Sequence, residues 1–189
     1  MRKFKISVLL KLGFYCLFLS IGLEMQARKF VHPGILHTTK SIERMRAQIA
    51  DKEYPAYGSF ELLKSHHCSQ ADYQPFGPFE IISRDGEFRH TKSKMEQDFS
   101  AVYQNALMWV LTGEKTHAEK SLELLLGYAG TLKRIPETND APLLVGLEGL
   151  KIIYATEILR HTYKKMTVVQ FNENDKGSVL ACNGKFLPS

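Results

Sequence analysis

MEQDFSAVYQNALMWVLTGEKTHAEKSLELLLGYAGTL, residues 95–132, is the stretch from which the fold is read. Its first half places Phe99, Val102, Tyr103, Ala106, Leu107 and Val110 at the i, i+3, i+4, i+7 spacing of one helical face. Its second half repeats the spacing with Ala118, Leu122, Leu125, Leu126, Ala129 and Leu132. Between them, Thr112, Gly113 and Glu114 make a short turn, and Gly113 suits the left-handed position that ends a helix. Two helices joined this tightly lie antiparallel and bury their apolar faces against each other and their neighbours.

The chain before this core reads as a targeting segment. Arg2, Lys3 and Lys5 precede a mostly apolar run over residues 6–23, interrupted by Lys11, and Met25-Gln26-Ala27 follows. A charged start, an apolar middle and a small residue at the cut form a secretory signal peptide over residues 1–27, so the mature protein is expected to be periplasmic or secreted. Met25 departs from the pattern, standing where a small residue is usual. An uncleaved anchor is the competing reading, because the run is about long enough to span a bilayer. Cys16 follows Gly13, Phe14 and Tyr15, which is not a lipoprotein context.

Charge follows from the leader. The whole chain carries 25 Lys and Arg against 20 Asp and Glu, net +5. Arg2, Lys3, Lys5, Lys11 and Glu24 belong to the leader, leaving 21 against 19, net +2. Most of the basicity is therefore targeting, and no nucleic acid partner is expected. Outside the leader, Cys68 and Cys182 allow one disulfide at most. No spacing of the 7 histidines from another His, Cys or acid is taken as a metal site. Phosphate-loop and nucleophile motifs are lacking, and no cofactor is expected.

Along the mature chain, RKFVHPGILH contains the turn pair Pro33-Gly34, and Thr38, Thr39 and Ser41 offer caps for a helix through SIERMRAQIADK. Ile42, Met45 and Ile49 share a face of that helix. Pro55 opens the next one, through Tyr57, Phe60, Leu62 and Leu63 to about Ser65. Residues 66–94 lack helical period, contain Pro75, Gly77, Pro78 and Gly86, and include one strand-like piece at Phe79-Glu80-Ile81-Ile82. A long irregular segment inside a helical domain is a place for function. A loop over residues 133–142 precedes a helix from Leu143 to Tyr163, with Leu147, Leu150, Ile153 or Tyr154, Ile158 and His161 in register. Gly146 and Gly149 weaken its start and favour close helix approach. From about Lys164 the helical rhythm stops, and VVQF and SVLACNGKF look strand-like around a polar turn.

FVHPGILHT (residues 30–38), ADYQP (71–75), DFSAVYQNALMWVLTGEKTHAEKSLELL (98–125) and NDAPLLVGLEGL (139–150) together resemble the alginate lyase domain family, toroids of paired helices that cleave polysaccharide. The resemblance runs in order through residues 30–163, and it implies an all-α fold, an incomplete (α/α) toroid of antiparallel helix pairs. It further implies an extracytoplasmic protein whose partner is an anionic polysaccharide, alginate or a related uronic-acid polymer, cut by β-elimination. In that chemistry a side chain neutralises the uronate carboxylate, a His or Tyr takes the C5 proton, and a Tyr protonates the leaving oxygen. The family carries these groups as an Asn-His pair and a Tyr on later helices. No Asn-His pair occurs here, so no catalytic residue is assigned. The expectation is an N-terminal fragment, residues 28–163, followed by a divergent tail over 164–189 read out of frame, and without lyase activity.

Tyr73 and Arg84 are expected to contact an acidic sugar, by stacking and by a bidentate grip on its carboxylate, or else to be solvated loop groups. Asn139 and Asp140 are placed near the mouth of a cleft, or else serve as turn and cap residues for the helix that follows. Trp109 is read as a packing anchor rather than a sugar platform, Gln104 and Asn105 as structural hydrogen-bonding groups, His32 as fixing the His-Pro-Gly turn, and His117 as solvated. A helical-repeat interaction module without enzymatic activity is the alternative, and a remnant that exposes apolar faces is a third reading.

Overall fold

The computed structural model describes residues 30–164. The chain divides into two units, Met1–Phe30 and Val31–Ser189, and the second contains the helices described below. The expected leader, residues 1–27, and the expected divergent tail from residue 165 onward, with Cys182, lie outside the described residues. No helix among the described residues is long and apolar enough to cross a membrane.

The described chain is all-α. Five helices run α1 (Thr39–Ala50), α2 (Ala56–Ser65), α3 (Lys92–Thr112), α4 (Lys115–Thr131) and α5 (Ala141–Thr162), with short 3-10 turns at His67–Ser69 and Gly86–Thr91. Local chemistry sets several boundaries. The Thr38 hydroxyl accepts the Ser41 N–H at 3.1 Å and caps α1, as its sequence implies. Gly113 sits at φ 79°, in the left-handed region, and its N–H closes α3 on the Trp109 carbonyl at 2.8 Å. The strand-like piece at residues 79–82 amounts to one isolated parallel bridge, Ile81 to Arg134. A single bridge with no third partner cannot extend into a sheet.

Helix α3 is the axis. It packs against every other helix, most extensively α4 and α5, and the main remaining helix contacts are α1 with α2 and α4 with α5. Burial accordingly spreads well around its circumference, taking in Met95, Phe99, Ala101, Val102, Ala106, Met108 and Val110. Fully burying a residue such as Phe99 or Met95 contributes about 1.5–3 kcal/mol, so this one helix supplies much of the driving force for the fold. Trp109 is the packing anchor expected of it: its indole N–H donates to Thr162 at 2.9 Å and its ring meets Tyr163 edge-on.

Three face assignments are corrected. Leu126, placed in the core by periodicity, is exposed, and α4 instead buries His117, Ser121, Leu124 and Tyr128 beside Ala118, Leu122 and Leu125. On α5, Leu147 and Leu150 are exposed, whereas Leu144, Glu148, Gly149, Ile152, Ala155 and Leu159 face inward. This helix is apolar on two sides, and period alone cannot choose between them. A Cβ built at Gly146 or Gly149 meets nothing within 4 Å, so these glycines do not serve a close helix approach.

One buried acid locks the irregular segment onto the helix pair. Asp98 is fully buried on α3. Its Oδ1 accepts the Tyr73 hydroxyl at 2.8 Å and the Phe76 N–H at 3.0 Å; its Oδ2 accepts the Gly77 N–H at 2.8 Å and the Tyr128 hydroxyl at 2.7 Å. Four donors satisfy a carboxylate that would otherwise be very costly to bury. Burial first, and the Asp98 charge after it, push both phenols well above the usual tyrosine range, so they remain donors at any ordinary pH. Gly77 is required by space, because a Cβ there would collide with the Tyr128 ring and hydroxyl. Replacing Asp98 with Ala strands two buried hydroxyls and two partly buried amides, and a loss of about 3–5 kcal/mol is expected in urea unfolding. Tyr128→Phe, which removes one donor, is expected to cost about 1–2 kcal/mol in the same assay. Equal midpoints for Asp98→Ala and the parent would refute the role given to this carboxylate.

Candidate functional site

Polar side chains concentrate where α3 lies along α5. Glu96 and Ser100 stand one turn apart on α3, and Glu148, Lys151 and Tyr154 follow at i, i+3, i+6 on α5, so each set forms a row along its helix. Arg84, delivered by the irregular segment, donates from Nη1 to Glu96 Oε1 at 2.6 Å and lies 4.0 Å from Glu148 Oε1. Lys151 donates from Nζ to Glu148 Oε2 at 2.7 Å and to Ser100 Oγ at 3.0 Å. Glu148 is almost fully withdrawn from solvent, its side chain 6% exposed, and tolerates this because two cations flank it. The Arg84 Nε–H is buried and has no hydrogen-bond partner. Guanidinium groups seldom bury a donor unmet.

A second set continues the seam. His37 Nε2 lies 2.6 Å from the Tyr103 hydroxyl, with the Tyr154 ring against both. Burial lowers the His37 pKa, which keeps its imidazole neutral near pH 7. Burial and, to a lesser extent, the neighbouring Tyr154 raise Tyr103 to about 12, so the phenol keeps its proton and donates it to the neutral ring. A neutral His hydrogen-bonded to a protonated Tyr is able to shuttle a proton, and the two aromatic rings offer a flat apolar wall.

The residues singled out from the sequence separate. Arg84 belongs to the seam, and it is no solvated loop group, since its side chain is 14% exposed. Asp140 comes close to it, its N–H donating to Oδ2 of the adjacent Asp85 at 3.3 Å. Asp140 also occupies the cap position of α5, but its side chain makes no capping bond. Asn139 is exposed. Tyr73 is taken up by Asp98 and buried, so it is neither solvated nor presented for stacking. His37, Tyr103, Glu148, Lys151 and Tyr154 were not singled out. Tyr103 and Tyr154 read as ordinary members of apolar faces, and a buried Glu or Lys looks like any surface charge in sequence.

Two histidine assignments also change. His117, expected to be solvated, is buried, with its Nδ1 2.8 Å from Asn105 Oδ1. Asn105 in turn donates to the Cys68 and Ala101 carbonyls, which is the structural role expected of it. Gln104 is less well served, its Oε1 being buried without a partner. His32 does fix its turn, but through α5. Its Nδ1 lies 2.6 Å from Glu157 Oε1, the same oxygen that accepts the Gly34 N–H at 2.9 Å.

Compared with known protein families, characterised proteins and solved structures, the chain matches none.

The histidines give the fold a pH dependence of defined sign. His37, His117 and His161 are all held below the ordinary value of 6.5, burial being the first cause in each. Below pH 6.5 the unfolded chain therefore binds protons that the folded chain refuses, and stability falls as pH drops from there. The urea midpoint is expected to be lower at pH 5.5 than at pH 7.5, with His37→Gln removing part of the difference. A midpoint independent of pH over this interval would contradict the burial of these rings.

Proposed function

We propose that this chain is the N-terminal helical part of an exported alginate-lyase-like protein that holds an anionic uronic-acid polysaccharide and does not itself cleave it. The observation that carries the reading is the seam between α3 and α5. The ammonium of Lys151 and the rings of Tyr103 and Tyr154 follow one another along it, with the Arg84 guanidinium beside Glu148. A uronate needs such a set: a cation and donor for its carboxylate, and a flat apolar wall for its ring. Asn139 and Asp140, which precede α5, are taken as contacts for a longer polymer because the resemblance puts a loop near the cleft mouth there. Antiparallel helix pairs also accord with the incomplete (α/α) toroid that the sequence resembles. In that architecture the exposed ridge Leu143, Leu147 and Leu150 is where a following helix pair would seat.

Lack of cleavage follows from chemistry. β-Elimination needs a base on the C5 proton and a cation that neutralises the adjacent carboxylate in the same step. The family that the sequence resembles carries these groups as an Asn-His pair and a later Tyr, and no Asn-His pair occurs in this sequence. Purified protein incubated with alginate oligomers is expected to bind them with an affinity that falls as salt rises, and to yield no ultraviolet absorbance from unsaturated ends. Lys151→Met is expected to weaken binding about tenfold, the loss of one charge-assisted contact. Absence of binding at low salt would overturn the ligand, and accumulation of unsaturated product would overturn the inactivity.

A second reading draws on the Leu143, Leu147 and Leu150 ridge, with exposures of 47%, 50% and 43% at i, i+4 and i+7. Such a stripe is what a helical interaction module presents to a partner helix. Cooperative thermal unfolding together with no polysaccharide binding would favour it.

A further inference from the structure

We infer that His32, Glu157 and His161 form a binding site for a divalent first-row transition metal ion, with Zn²⁺ the best match to their donor set. The site is independent of the polysaccharide reading. It joins the segment before α1 to the last turns of α5, two parts of the chain separated by 125 residues.

The geometry is close to what a metal requires. One ligand atom from each residue, two imidazole nitrogens and a carboxylate oxygen, can be chosen so that all lie within 4.8 Å of one another. Ligands around a tetrahedral Zn²⁺, each at about 2.0–2.1 Å from the ion, stand roughly 3.3 Å apart. His32 Nδ1 to Glu157 Oε1 is 2.6 Å and His161 Nε2 to Glu157 Oε2 is 3.5 Å, so adjustments of about an ångström, within the reach of side-chain rotation, bring the set to a metal. Glu157 and His161 are one helical turn apart on α5, which puts both on the same face. The two imidazoles are stacked, their centroids 4.1 Å apart and their planes 11° from parallel, so one ring has to turn for both in-plane nitrogen lone pairs to converge on an ion.

The carboxylate is the part already built. Glu157 is held by the Gly34 N–H at 2.9 Å, a backbone contact that fixes its orientation as hydrogen bonds from an outer shell fix ligands in metal sites. Its side chain is 15% exposed while His32 is 43% exposed, so an ion has an anionic floor and a route from solvent. Two imidazoles and one carboxylate are borderline ligands that favour Zn²⁺, Ni²⁺ or Cu²⁺ over Mg²⁺ or Ca²⁺, which call for more oxygens. Solvent would complete the coordination. On binding at His32 Nδ1 the metal takes the place of the proton in the contact with Glu157, and a neutral imidazole then carries its proton on Nε2.

A second group, His66, His67 and Cys68, also brings three such ligands together and provides the internal control. Its sulfur is buried, with burial pushing the thiol pKa up, away from the thiolate that binds metal.

Titration of the purified protein with ZnCl₂ at pH 7.5, followed by calorimetry, is expected to show saturable uptake of one ion per chain. Glu157→Gln and His161→Ala are each expected to weaken it at least about tenfold, and His66→Ala/His67→Ala to leave it unchanged. Zn²⁺ is also expected to raise the melting temperature of the parent but not of His32→Ala, an exposed position whose replacement leaves the core intact. No saturable uptake, or uptake lost with His66 and His67 and retained in Glu157→Gln, would overturn the assignment.

Discussion

The fold depends on a single carboxylate kept out of water. Asp98 sits inside α3, where an apolar residue would be the ordinary choice, and it gathers a loop tyrosine, two loop amides and a tyrosine of α4. Each of those donors would be costly to bury alone, and so would the acid, and together they satisfy one another. The consequence is positional. Residues 73–77 cannot drift from the helix pair, and the chain that follows them is therefore aimed. Ser83 reinforces this, its N–H resting on the Thr91 hydroxyl at 3.1 Å, and Arg84 then reaches Glu96 of α3. A loop with several glycines and prolines acquires a fixed course because one helix residue reads its backbone.

The same device recurs further along α3. Asn105 is fully buried and ties His117 of α4 to the carbonyl of Cys68, and the Ser121 hydroxyl donates to the Val102 carbonyl at 2.6 Å. The contact between α3 and α4 is thus an apolar interface with polar pins at fixed positions. Pins of this kind set register, because sliding by one turn would leave each of them unpaired. By contrast, α3 and α5 meet through charges and aromatic rings on their more open side. Polar pins and charged rows thus fall on different faces of one helix.

Much of the architecture was legible in the sequence, and what was not shares a cause. Thr38, Gly113 and the amphipathic period of residues 95–132 act through neighbours in the chain, so their roles are visible locally. Asp98, Asn105 and His117 act through partners 12–37 residues away, and in sequence a buried polar residue carries the same letter as a surface one. Leu126, Leu147 and Leu150 failed for a different reason. Both α4 and α5 carry apolar residues on more than one side, and only tertiary contact decides which side is covered. The site suffered most. Arg84 was singled out in an irregular segment that also holds Arg89, while Glu148 and Lys151 passed as surface charges and Tyr103 and Tyr154 as core.

The contact of His32 and Gly34 with Glu157 bears on the order in which the chain assembles. Its partners are 125 and 123 residues apart, whereas the α3–α4 hairpin closes through a turn at Gly113. Loop closure over such a separation has to wait until intervening helices have shortened the distance by packing. Folding is then expected to begin at the hairpin and finish by docking the segment before α1, which makes that segment the first to detach from the native state. Amide protons around Gly34 should therefore exchange through a local opening that leaves Phe99 and Val102 protected, and the stability of the last contact formed becomes a property separate from that of the core.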